Sequence, residues 1–484
     1  MLADFIKAYD VRGVVPDQLD ADVARAIGSA FAQVVVIPDG APGVVIGYDM
    51  RPSSPELSRA FAEGVAQHGL QATLIGLAST DELYYASGSL DLPGAMFTAS
   101  HNPAKYNGIK MCRSGARPVG QDTGLAEIRD LAQWILDRPH QVALATAGSE
   151  AAAAGDVGER DLLPAYADFM RGLVDLRGNR PLKVVVDAGN GMGGLTVPAV
   201  LGTEAGLEPL PLEVVPLYFE LDGTFPNHEA NPLDPANLVD LQKAVVEHGA
   251  DIGLAFDGDA DRCFVVDEHG EPVSPSAITA LVATREVARL KADGVDPADV
   301  TIVYNVITSL GVPEIVGELG AKAVRTRVGH SFIKAEMARV GAVFGGEHSA
   351  HYYFRDFWFA DTGMLAALHV LAALGEANVP LSELTREYGR YAASGEINSR
   401  VADAAAATER VVAWAREQGV TDFDELDGLT ATCAGDTETP MWWINVRSSN
   451  TEPLLRLNVE AADRATMERV RDAVLAQIRS QDEQ

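Results

Sequence analysis

The chain has 484 residues, a length that predicts about three domains of ordinary size, and 47% of its residues are hydrophobic, which supports buried cores. Its 69 acidic residues outnumber its 38 basic residues and give a net charge of −31, which argues against nucleic acid or an anionic membrane as a partner. No segment reaches about 18 apolar residues, and the first residues lack the apolar region of a secretion signal. With three scattered cysteines, these features predict a cytoplasmic protein with reduced thiols.

An apolar strand that ends in a small or acidic turn recurs along the chain, at residues 44–49, 184–189, 254–257 and 302–305. Segments with helical character follow most of these strands, for example residues 55–69 and 309–319. This alternation is typical of α/β layers built on a mainly parallel sheet. Towards the C-terminus the order changes to a helix at 404–418, two strands and a helix at 465–479, which predicts a small α+β domain. The alanine-rich residues 143–158 are interpreted as a linker or a solvated helix edge.

The first candidate reactive residue is Ser100, which follows an apolar run at residues 94–97 and precedes the sequence His-Asn-Pro. The run predicts a strand, and Asn-Pro is a turn signal that stops a helix. Ser100 is therefore expected on a loop, with His101 beside it and Lys110 beyond a predicted turn at residues 106–108. A hydroxyl near cations suits covalent phosphoryl transfer, because cations stabilise the charge of a phosphoserine. A serine that only caps a turn is the alternative.

A glycine-rich turn follows the strand at residues 184–189. Gly189, Gly191 and Gly194 have the spacing of a dinucleotide-binding turn, which leaves open a nicotinamide-dependent sugar oxidoreductase. In that case an acidic residue about 20 positions further on should close the second strand and contact the ribose. Glu208 is near that distance, but it opens the next predicted strand instead of closing it. A structural glycine turn is therefore favoured.

Three aspartates, Asp257, Asp259 and Asp261, alternate in a short loop and are followed by Arg262. In an extended loop alternate side chains point to one side, so the carboxylates are expected to converge. Three hard oxygen ligands suit Mg²⁺, and the adjacent guanidinium suits a phosphate. The aspartates also match positions one, three and five of a calcium EF-hand, with Glu268 at position twelve. Position six lacks the required glycine and the flanking residues predict strands, so a magnesium loop is favoured over an EF-hand or a plain acidic turn.

A second polar loop follows the glycine pair at residues 345–346. Glu347 and Ser349 share one face of an extended loop, and they offer a carboxylate and a hydroxyl to the hydroxyl groups of a sugar. His351 is a candidate general acid or base, because histidine titrates near neutral pH. Taken alone, an incidental polar turn explains this segment equally well.

The last polar loop begins at Arg447 and continues through Ser449, Asn450 and Thr451, after an apolar strand at residues 442–446. A guanidinium, hydroxyls, an amide and free backbone N–H groups form a cradle for phosphate without a helix. A polar hairpin turn between two strands is the alternative for this loop.

In order along the chain, these loops resemble the signature of the α-D-phosphohexomutases, particularly the bacterial phosphomannomutase/phosphoglucomutase enzymes. The resemblance begins at residues 9–13, Tyr-Asp-Val-Arg-Gly, and extends to the last polar loop; it misses only linkers and the extreme C-terminus. It implies that Ser100 is the phosphoserine and a metal ligand. It also implies that Asp257, Asp259 and Asp261 bind Mg²⁺.

The resemblance implies roles for further residues around these loops. The expected catalytic residues are Ser100, His101, Lys110, Arg262, His330 and His351. The expected substrate-binding residues are Arg12, Glu347, Ser349, Arg447, Ser449, Asn450 and Thr451. The chain departs from the usual family pattern at His348 and Ala350, which leaves the substrate preference open.

The implied fold is α/β with four domains: three related α/β domains with mixed sheets and a C-terminal α+β domain, around a central cleft. The expected domains are residues 1–150 with the phosphoserine loop, 158–271 with the metal loop, 272–388 with the sugar loop and 389–484 with the phosphate loop. The implied activity interconverts mannose 1-phosphate and mannose 6-phosphate, and also glucose phosphates, through a hexose 1,6-bisphosphate with Mg²⁺ as cofactor. Phosphoglucosamine mutase is the alternative within the family.

Overall fold

A computed structural model describes residues 1–7, 9–138, 155–436, 439–448 and 454–480. The chain forms two compact units. The first consists of Met1–Val273 and Ser349–Leu384, and the second of Ser274–His348 and Thr385–Gln484. In the described ranges, no helix is both long and apolar enough to cross a membrane. The three cysteines are free thiols, and the cellular location of the chain stays a prediction.

The secondary structure alternates between strands and helices over most of the described chain. The strands are β1 Val11–Val14, β2 Gly43–Tyr48, β3 Gln71–Leu77, β4 Gly94–Phe97, β5 Tyr106–Arg113, β6 Arg117–Pro118, β7 Val157–Glu159, β8 Leu182–Asp187, β9 Leu212–Leu217, β10 Ile252–Phe256, β11 Cys263–Val266, β12 Pro272–Val273, β13 Thr301–Asn305, β14 Lys322–Thr326, β15 Phe344–Gly346, β16 Tyr352–Phe354, β17 Ala360–Asp361, β18 Ala392–Arg400, β19 Asp422–Asp424, β20 Leu429–Cys433, β21 Trp442–Ser448 and β22 Leu454–Ala461. The helices are α1 Ala21–Phe31, α2 Ser54–Ala66, α3 Thr80–Leu90, α4 Leu125–Asp137, α5 Leu163–Leu173, α6 Gly193–Val200, α7 Val239–His248, α8 Pro275–Ala292, α9 Gly311–Glu318, α10 His330–Val340, α11 Gly363–Glu376, α12 Leu381–Leu384, α13 Ala404–Glu417 and α14 Arg464–Arg479.

A seven-stranded mixed sheet forms the N-terminal part of the first unit. Its strand order is β1-β5-β4-β2-β3-β7, and β6 pairs with β5. The strands β4, β2, β3 and β7 are parallel, whereas β5 runs antiparallel to both β1 and β4. Helices α1 and α2 approach closely where glycines face the neighbouring backbone. A Cβ atom on Gly28 would lie 2.2 Å from the carbonyl oxygen of Phe61, and one on Gly64 would lie 2.1 Å from that of Arg25.

The turn predicted before Lys110 does not form, because residues 106–108 are the first residues of β5 and pair with β1. The buried side chain of Asn107 donates hydrogen bonds to the hydroxyl oxygens of Ser53 and Ser54 at 2.8 and 2.9 Å. Gly108 permits close strand packing, since a Cβ atom there would lie 2.3 Å from the carbonyl oxygen of Val11. These long-range contacts override the local turn preference of the Tyr-Asn-Gly sequence.

The edge strand β7 changes the interpretation of the predicted linker. This strand pairs in parallel with β3, so Val157–Glu159 belongs to the first sheet. The first sheet therefore extends past the expected domain boundary at residue 150. Residues 143–154 of the predicted linker lie outside the described residues.

A second mixed sheet of five strands, in the order β12-β11-β10-β8-β9, completes most of the first unit. Its strands β10, β8 and β9 are parallel, and β11 returns antiparallel to β10. Strands β2, β8 and β10 confirm that the apolar runs within residues 44–49, 184–189 and 254–257 form strands. The short antiparallel pair β16 and β17 and the buried helix α11 also belong to this unit.

The second unit combines a parallel β-sheet region with an antiparallel C-terminal sheet. Strand β13 lies between the parallel strands β14 and β15, and helices α8, α9 and α10 pack against them. The C-terminal sheet has the antiparallel order β18-β22-β21-β20-β19. One face of this sheet packs in a core with α13 and α14, where Trp442, Ile444 and Leu457 are buried. The predicted α+β segment is confirmed.

Candidate active site

Ser100 lies in the loop after β4, with a left-handed backbone φ of +51°. Its N–H donates to Thr98 Oγ1 at 2.9 Å. The buried guanidinium of Arg51 donates to the carbonyl oxygens of Ser100 and Asn102 at 2.9 and 2.7 Å. Arg51 is in turn paired with the buried carboxylate of Asp49 at 3.1 Å. These bonds hold Ser100 in a conformation that residues other than glycine rarely adopt.

The Ser100 hydroxyl lies beside a buried group of charges. It donates to Asp257 Oδ2 at 3.0 Å and lies 3.1 Å from Nδ1 of His101. Arg262 donates to the same Asp257 oxygen through Nε at 2.9 Å and Nη2 at 2.7 Å. Burial, together with the charges of Arg262 and Arg12, lowers the pKa of His101 to about 2. His101 is therefore neutral, and the nearby positive charge comes from Arg262.

The loop of Asp257, Asp259 and Asp261 is a tight turn and not the extended segment assumed from the sequence. Ala260 has a φ of +61°, and its N–H donates to the Asp257 carbonyl at 3.0 Å. The three carboxylates still converge, with one oxygen of each within 4.8 Å of the others. The prediction of convergence is confirmed, but its cause is the turn and not alternation along a strand. Strands β10 and β11 flank the turn, which excludes the paired helices of an EF-hand.

The donor atoms of this turn fit a hard divalent cation. Asp259 Oδ1 and Asp261 Oδ1 are buried and accept no hydrogen bond from the residues that the structure describes. Burial raises the pKa of Asp257 to about 7, against the opposing effect of Arg262. Buried carboxylate oxygens without donors are costly, and coordination to a cation would offset that cost. The turn could therefore hold a divalent metal ion.

Lys110, on β5, bridges two of these aspartates. Its Nζ lies 2.6 Å from Oδ2 of Asp259 and 2.6 Å from Oδ2 of Asp261. Burial disfavours the charged ammonium, but the two carboxylates outweigh this effect and raise the pKa of Lys110 above its ordinary value. Lys110 is therefore a permanent positive charge at neutral pH.

Arg12, on β1, adjoins the loop that carries Ser100. Its Nε donates to Asp10 Oδ2 at 2.8 Å, and its Nη1 contacts the side-chain oxygen of Asn102. The neighbouring carboxylates, Asp10 first among them, offset the effect of burial and raise the pKa of Arg12. The structure thus brings the predicted cations Arg12, Lys110 and Arg262 to the aspartate turn within the first unit.

His351 also lies beside Asp261. Its Nδ1 lies 3.2 Å from Ser349 Oγ, and its Nε2 lies 3.6 Å from Asp261 Oδ1. Asp361, on β17, has a carboxylate oxygen within 4.8 Å of ligand atoms of both His351 and Asp261. Asp361 was not predicted from the sequence as a site residue. Its only signal is an apolar run, Phe-Trp-Phe-Ala, that ends in an aspartate as the run before Asp257 does.

Glu347, in the second unit, is buried and holds the start of helix α10. Its Oε1 accepts hydrogen bonds from Asn305 Nδ2 at 2.8 Å and from the N–H of Gly329 at 3.2 Å. Gly329 directly precedes His330, the first residue of α10. Asn305 was missed as a site residue, although it ends a strand that the sequence predicted. Its side chain orients Glu347, and Glu347 in turn holds the backbone next to His330.

Two further features of the second unit concern the polar loops. His348 Nδ1 lies 3.2 Å from Ser276 Oγ, and burial lowers the pKa of His348. Arg447 lies near the end of β21 and pairs with Glu396 at 2.5 Å. The predicted residues Ser449, Asn450 and Thr451 lie outside the described residues. Strands β21 and β22, which the loop connects, form the predicted antiparallel pair.

The glycine turn after β8 packs against protein backbone. A Cβ atom on Gly191 would lie 2.7 Å from the carbonyl oxygen of Gly258, and one on Gly194 would lie 2.2 Å from that of Phe219. These close approaches explain why the turn requires glycine. Glu208 precedes β9 and does not close a strand. The turn therefore has a structural explanation, and Glu208 does not take the position of the acidic partner in a dinucleotide-binding motif.

Comparison with known families gives four matches in order along the chain. Profiles of phosphoglucomutase/phosphomannomutase α/β/α domains I, II and III match residues 4–136, 164–270 and 274–391. The profile of the C-terminal domain matches residues 396–477. These matches define a four-domain phosphohexomutase architecture, as expected from the sequence. The chain belongs to the phosphoglucomutase/phosphomannomutase family and is thus a mutase enzyme.

Individual relatives agree with this assignment over nearly the full length. The phosphohexose mutases of Xanthomonas campestris pv. campestris are 40% identical over 479 residues, which are 98% of this chain and 97% of the relative. The phosphomannomutase of Salmonella typhimurium is 40% identical over 459 residues, 94% of each chain. The crystal structure of a phosphoglucomutase/phosphomannomutase family protein from Burkholderia thailandensis is 31% identical. It has a TM-score of 0.83 and covers 100% of this chain and 99% of its own.

Proposed function

We propose that the protein is a phosphomannomutase that interconverts mannose 1-phosphate and mannose 6-phosphate, and that it also accepts glucose phosphates. The observation that carries this proposal is the 3.0 Å contact between the Ser100 hydroxyl and Asp257, at the edge of the aspartate turn. A nucleophilic hydroxyl next to a candidate metal site and fixed cations suits phosphoryl transfer. Binding alone would require neither feature.

The proposed reaction consists of two transfers through Ser100. In the first, the bond between phosphorus and Ser100 Oγ breaks, and a bond forms from phosphorus to the free hydroxyl oxygen of the sugar phosphate. The product is a hexose 1,6-bisphosphate, and the hydroxyl proton passes to a base. In the second, the bisphosphate has turned around. The bond between its other phosphorus and the sugar oxygen breaks, a bond forms from that phosphorus to Ser100 Oγ, and the base returns the proton to the sugar oxygen. The enzyme then returns to its phosphorylated state.

The electrostatics of the first unit narrow the choice of base. His101 has its pKa lowered to about 2, so it is a poor proton acceptor. The pKa of Lys110 is raised, so Lys110 stays charged and stabilises the phosphoryl group instead. His351 is the remaining predicted base of the first unit, and its Nδ1 is oriented by Ser349. We therefore assign the proton transfer to His351. His330 is the alternative candidate base, from the second unit.

We propose that Asp257, Asp259, Asp261 and the Ser100 phosphate hold Mg²⁺. A bound Mg²⁺ would neutralise charge that develops on the transferring phosphoryl group. The guanidinium of Arg262 adds fixed positive charge for the same purpose. Arg12 would contribute in the same way from the loop of Ser100.

Recognition of the sugar phosphate is proposed for the two polar loops. Glu347 and Ser349 would bind ring hydroxyls, and Arg447 with Ser449, Asn450 and Thr451 would bind the phosphate that does not react. A site of this kind serves both orientations of the sugar, because each orientation presents one phosphate and neighbouring hydroxyls.

Substitution of the nucleophile tests the proposed reaction. Ser100→Ala is expected to lower mutase turnover by about a thousandfold or more while the fold remains intact, since it removes the group that carries the phosphate. Ser114→Ala is a matched control, because the hydroxyl of Ser114 donates to the Asp91 carbonyl in a turn. Turnover of mannose 1-phosphate, with circular dichroism as a check on folding, gives the result. A Ser100→Ala enzyme that keeps more than about a tenth of the activity would contradict the proposal.

A further inference from the structure

Thr80, the first residue of helix α3, contacts Asp259 of the aspartate turn in two places. Thr80 N–H donates to the carbonyl oxygen of Asp259 at 3.0 Å. Thr80 Oγ1 donates to the carboxylate oxygen Oδ2 of Asp259 at 2.7 Å. Both residues are fully buried. One residue therefore holds both the backbone and the side chain of Asp259.

The hydroxyl bond determines which carboxylate oxygen remains available. Asp259 Oδ2 receives hydrogen bonds from Thr80 and from Lys110, the latter at 2.6 Å. Asp259 Oδ1 accepts no hydrogen bond from the described residues. Two donors on one oxygen fix the rotation of the carboxylate and leave its other oxygen for a cation. The positive end of the α3 dipole further stabilises the negative charge of Asp259.

The start of α3 is itself firmly anchored. Asp81, the next residue, accepts hydrogen bonds from Tyr166 on α5 at 2.8 Å and from Thr362 at 2.7 Å. Thr362 is the N-cap of α11. Asp81 also accepts a bond from Ser79, the N-cap of α3. Thr80 thus projects from a helix start that α5 and the N-cap of α11 hold in place.

We propose that Thr80 is a positioning residue of the metal site, which orients Asp259 so that Oδ1 is directed to the bound cation. This inference rests on the proposed function, because it requires that the aspartate turn binds Mg²⁺. Removal of a group that orients a metal ligand typically weakens metal affinity about 10- to 100-fold. The expected effect of losing the Thr80 hydroxyl lies in that range.

The test compares Thr80→Val, which removes the hydroxyl at nearly constant shape, with Thr80→Ser, which keeps it. Calorimetric titration of the full chain with magnesium chloride measures the affinity directly, with the phosphorylation state of Ser100 verified by mass spectrometry. Thr80→Val is expected to bind Mg²⁺ at least about tenfold more weakly, and Thr80→Ser within about threefold of the unsubstituted protein. Thr408→Val is a matched control, since the hydroxyl of Thr408 donates to the Ala404 carbonyl in its own helix.

Kinetics separate positioning from a general loss of structure. Positioning predicts that Thr80→Val raises the Mg²⁺ concentration needed for half-maximal activity, while turnover recovers at saturating Mg²⁺. A melting temperature lowered without any change in Mg²⁺ affinity would show a purely structural role and overturn the inference. Asp259→Asn distinguishes the two proposals. Loss of Mg²⁺ binding in Asp259→Asn with normal binding in Thr80→Val would overturn only the role of Thr80. Normal binding in both variants would overturn the metal site as well.

Discussion

Single residues in the first unit show how burial and charge act together at the site. Asp257, Asp259 and Asp261 are fully or almost fully buried. Two of their carboxylate oxygens, Oδ1 of Asp259 and Oδ1 of Asp261, nevertheless accept no hydrogen bond from the described residues. Burial raises the pKa of Asp257, whereas Lys110 helps to overcome burial and lowers the pKa of Asp261 to about 2. Neighbouring carboxylates in one turn thus differ in proton affinity because each has different cationic partners.

Asp81 provides a test of these electrostatics away from the reacting groups. Burial raises the pKa of Asp81 to about 6, although hydrogen bonds from Ser79, Thr362 and Tyr166 oppose this rise. The folded state therefore holds a proton that the unfolded state loses near pH 4, so this group makes the protein less stable as the pH rises to about 6. This pH-dependent loss of stability is absent in Asp81→Asn, because asparagine cannot ionise.

We expect the stability of the unsubstituted protein to fall relative to Asp81→Asn by about 1 to 2 kcal/mol between about pH 5 and about pH 7.5. Thermal unfolding of both proteins at the two pH values measures the difference, and the many carboxylates common to both cancel. A difference in melting temperature that does not change with pH would show that Asp81 ionises normally in the folded state.

The sequence identified the residues with recognisable chemistry but not the residues that hold them in position. Ser100, His101, Lys110, Arg262 and the aspartates lie together, as expected from the sequence. Arg51, Thr80 and Asn305 were missed because their roles depend on partners 40 or more positions away in the chain. A donor to a distant carbonyl or carboxylate has no local pattern, so only the folded backbone reveals it.

Among the structural elements, the aspartate turn between β10 and β11 carries the proposed metal site. Its carboxylates act as one ligand set, so the removal of one should impair the whole set. We expect Asp259→Ala to lower turnover at least about a hundredfold and to abolish its dependence on Mg²⁺. Activity assays over a range of magnesium chloride concentrations, and with a chelator, measure both effects.

Asp175→Ala is the control for this prediction, because Asp175 is an exposed aspartate of the same unit that pairs with Arg177. Its activity and Mg²⁺ dependence should remain those of the unsubstituted protein. Full activity of the unsubstituted enzyme in excess chelator would show that the turn is only an acidic loop.

Element types were predictable where apolar runs were clear, and least predictable where long-range pairing dominates. Strands β2, β8, β10 and β13 were identified from their apolar runs. The Tyr-Asn-Gly start of β5 was interpreted as a turn, because turn residues dominate its composition. Pairing with β1 and the buried contacts of Asn107 determine its conformation instead. The edge strand β7 was missed because three residues give too short a pattern.

The molecule as a whole is strongly acidic, with a net charge of −31. Such a charge repels a sugar phosphate at long range, but salt screens the field beyond about 10 Å at ordinary ionic strength. In the proposed reaction, Arg12, Lys110 and Arg262 would therefore act locally on the phosphate. The α/β class and the C-terminal α+β segment follow from the alternation of elements, whereas the division into two units could not be predicted from local patterns.

Substrate preference depends on several parts of the molecule, because the proposed sugar and phosphate contacts come from separate loops. Mannose and glucose differ at the 2-position, and discrimination there would require a buried polar group dedicated to that hydroxyl. The structure gives His348 a partner, Ser276, within its own unit. We therefore expect activity on both mannose and glucose phosphates. The preference for mannose and the low activity on the amino sugar are expected from the resemblance to phosphomannomutases.

The proposed phosphomannomutase activity is tested most directly by a coupled assay that compares mannose 1-phosphate, glucose 1-phosphate and glucosamine 1-phosphate with the same enzyme preparation and Mg²⁺ concentration. A phosphomannomutase of this kind should convert the first two to their 6-phosphates, with the highest kcat/KM for mannose 1-phosphate. Glucosamine 1-phosphate converted as fast as mannose 1-phosphate would contradict the assigned substrate and favour a phosphoglucosamine mutase. No conversion of any of the three would contradict the mutase reaction itself.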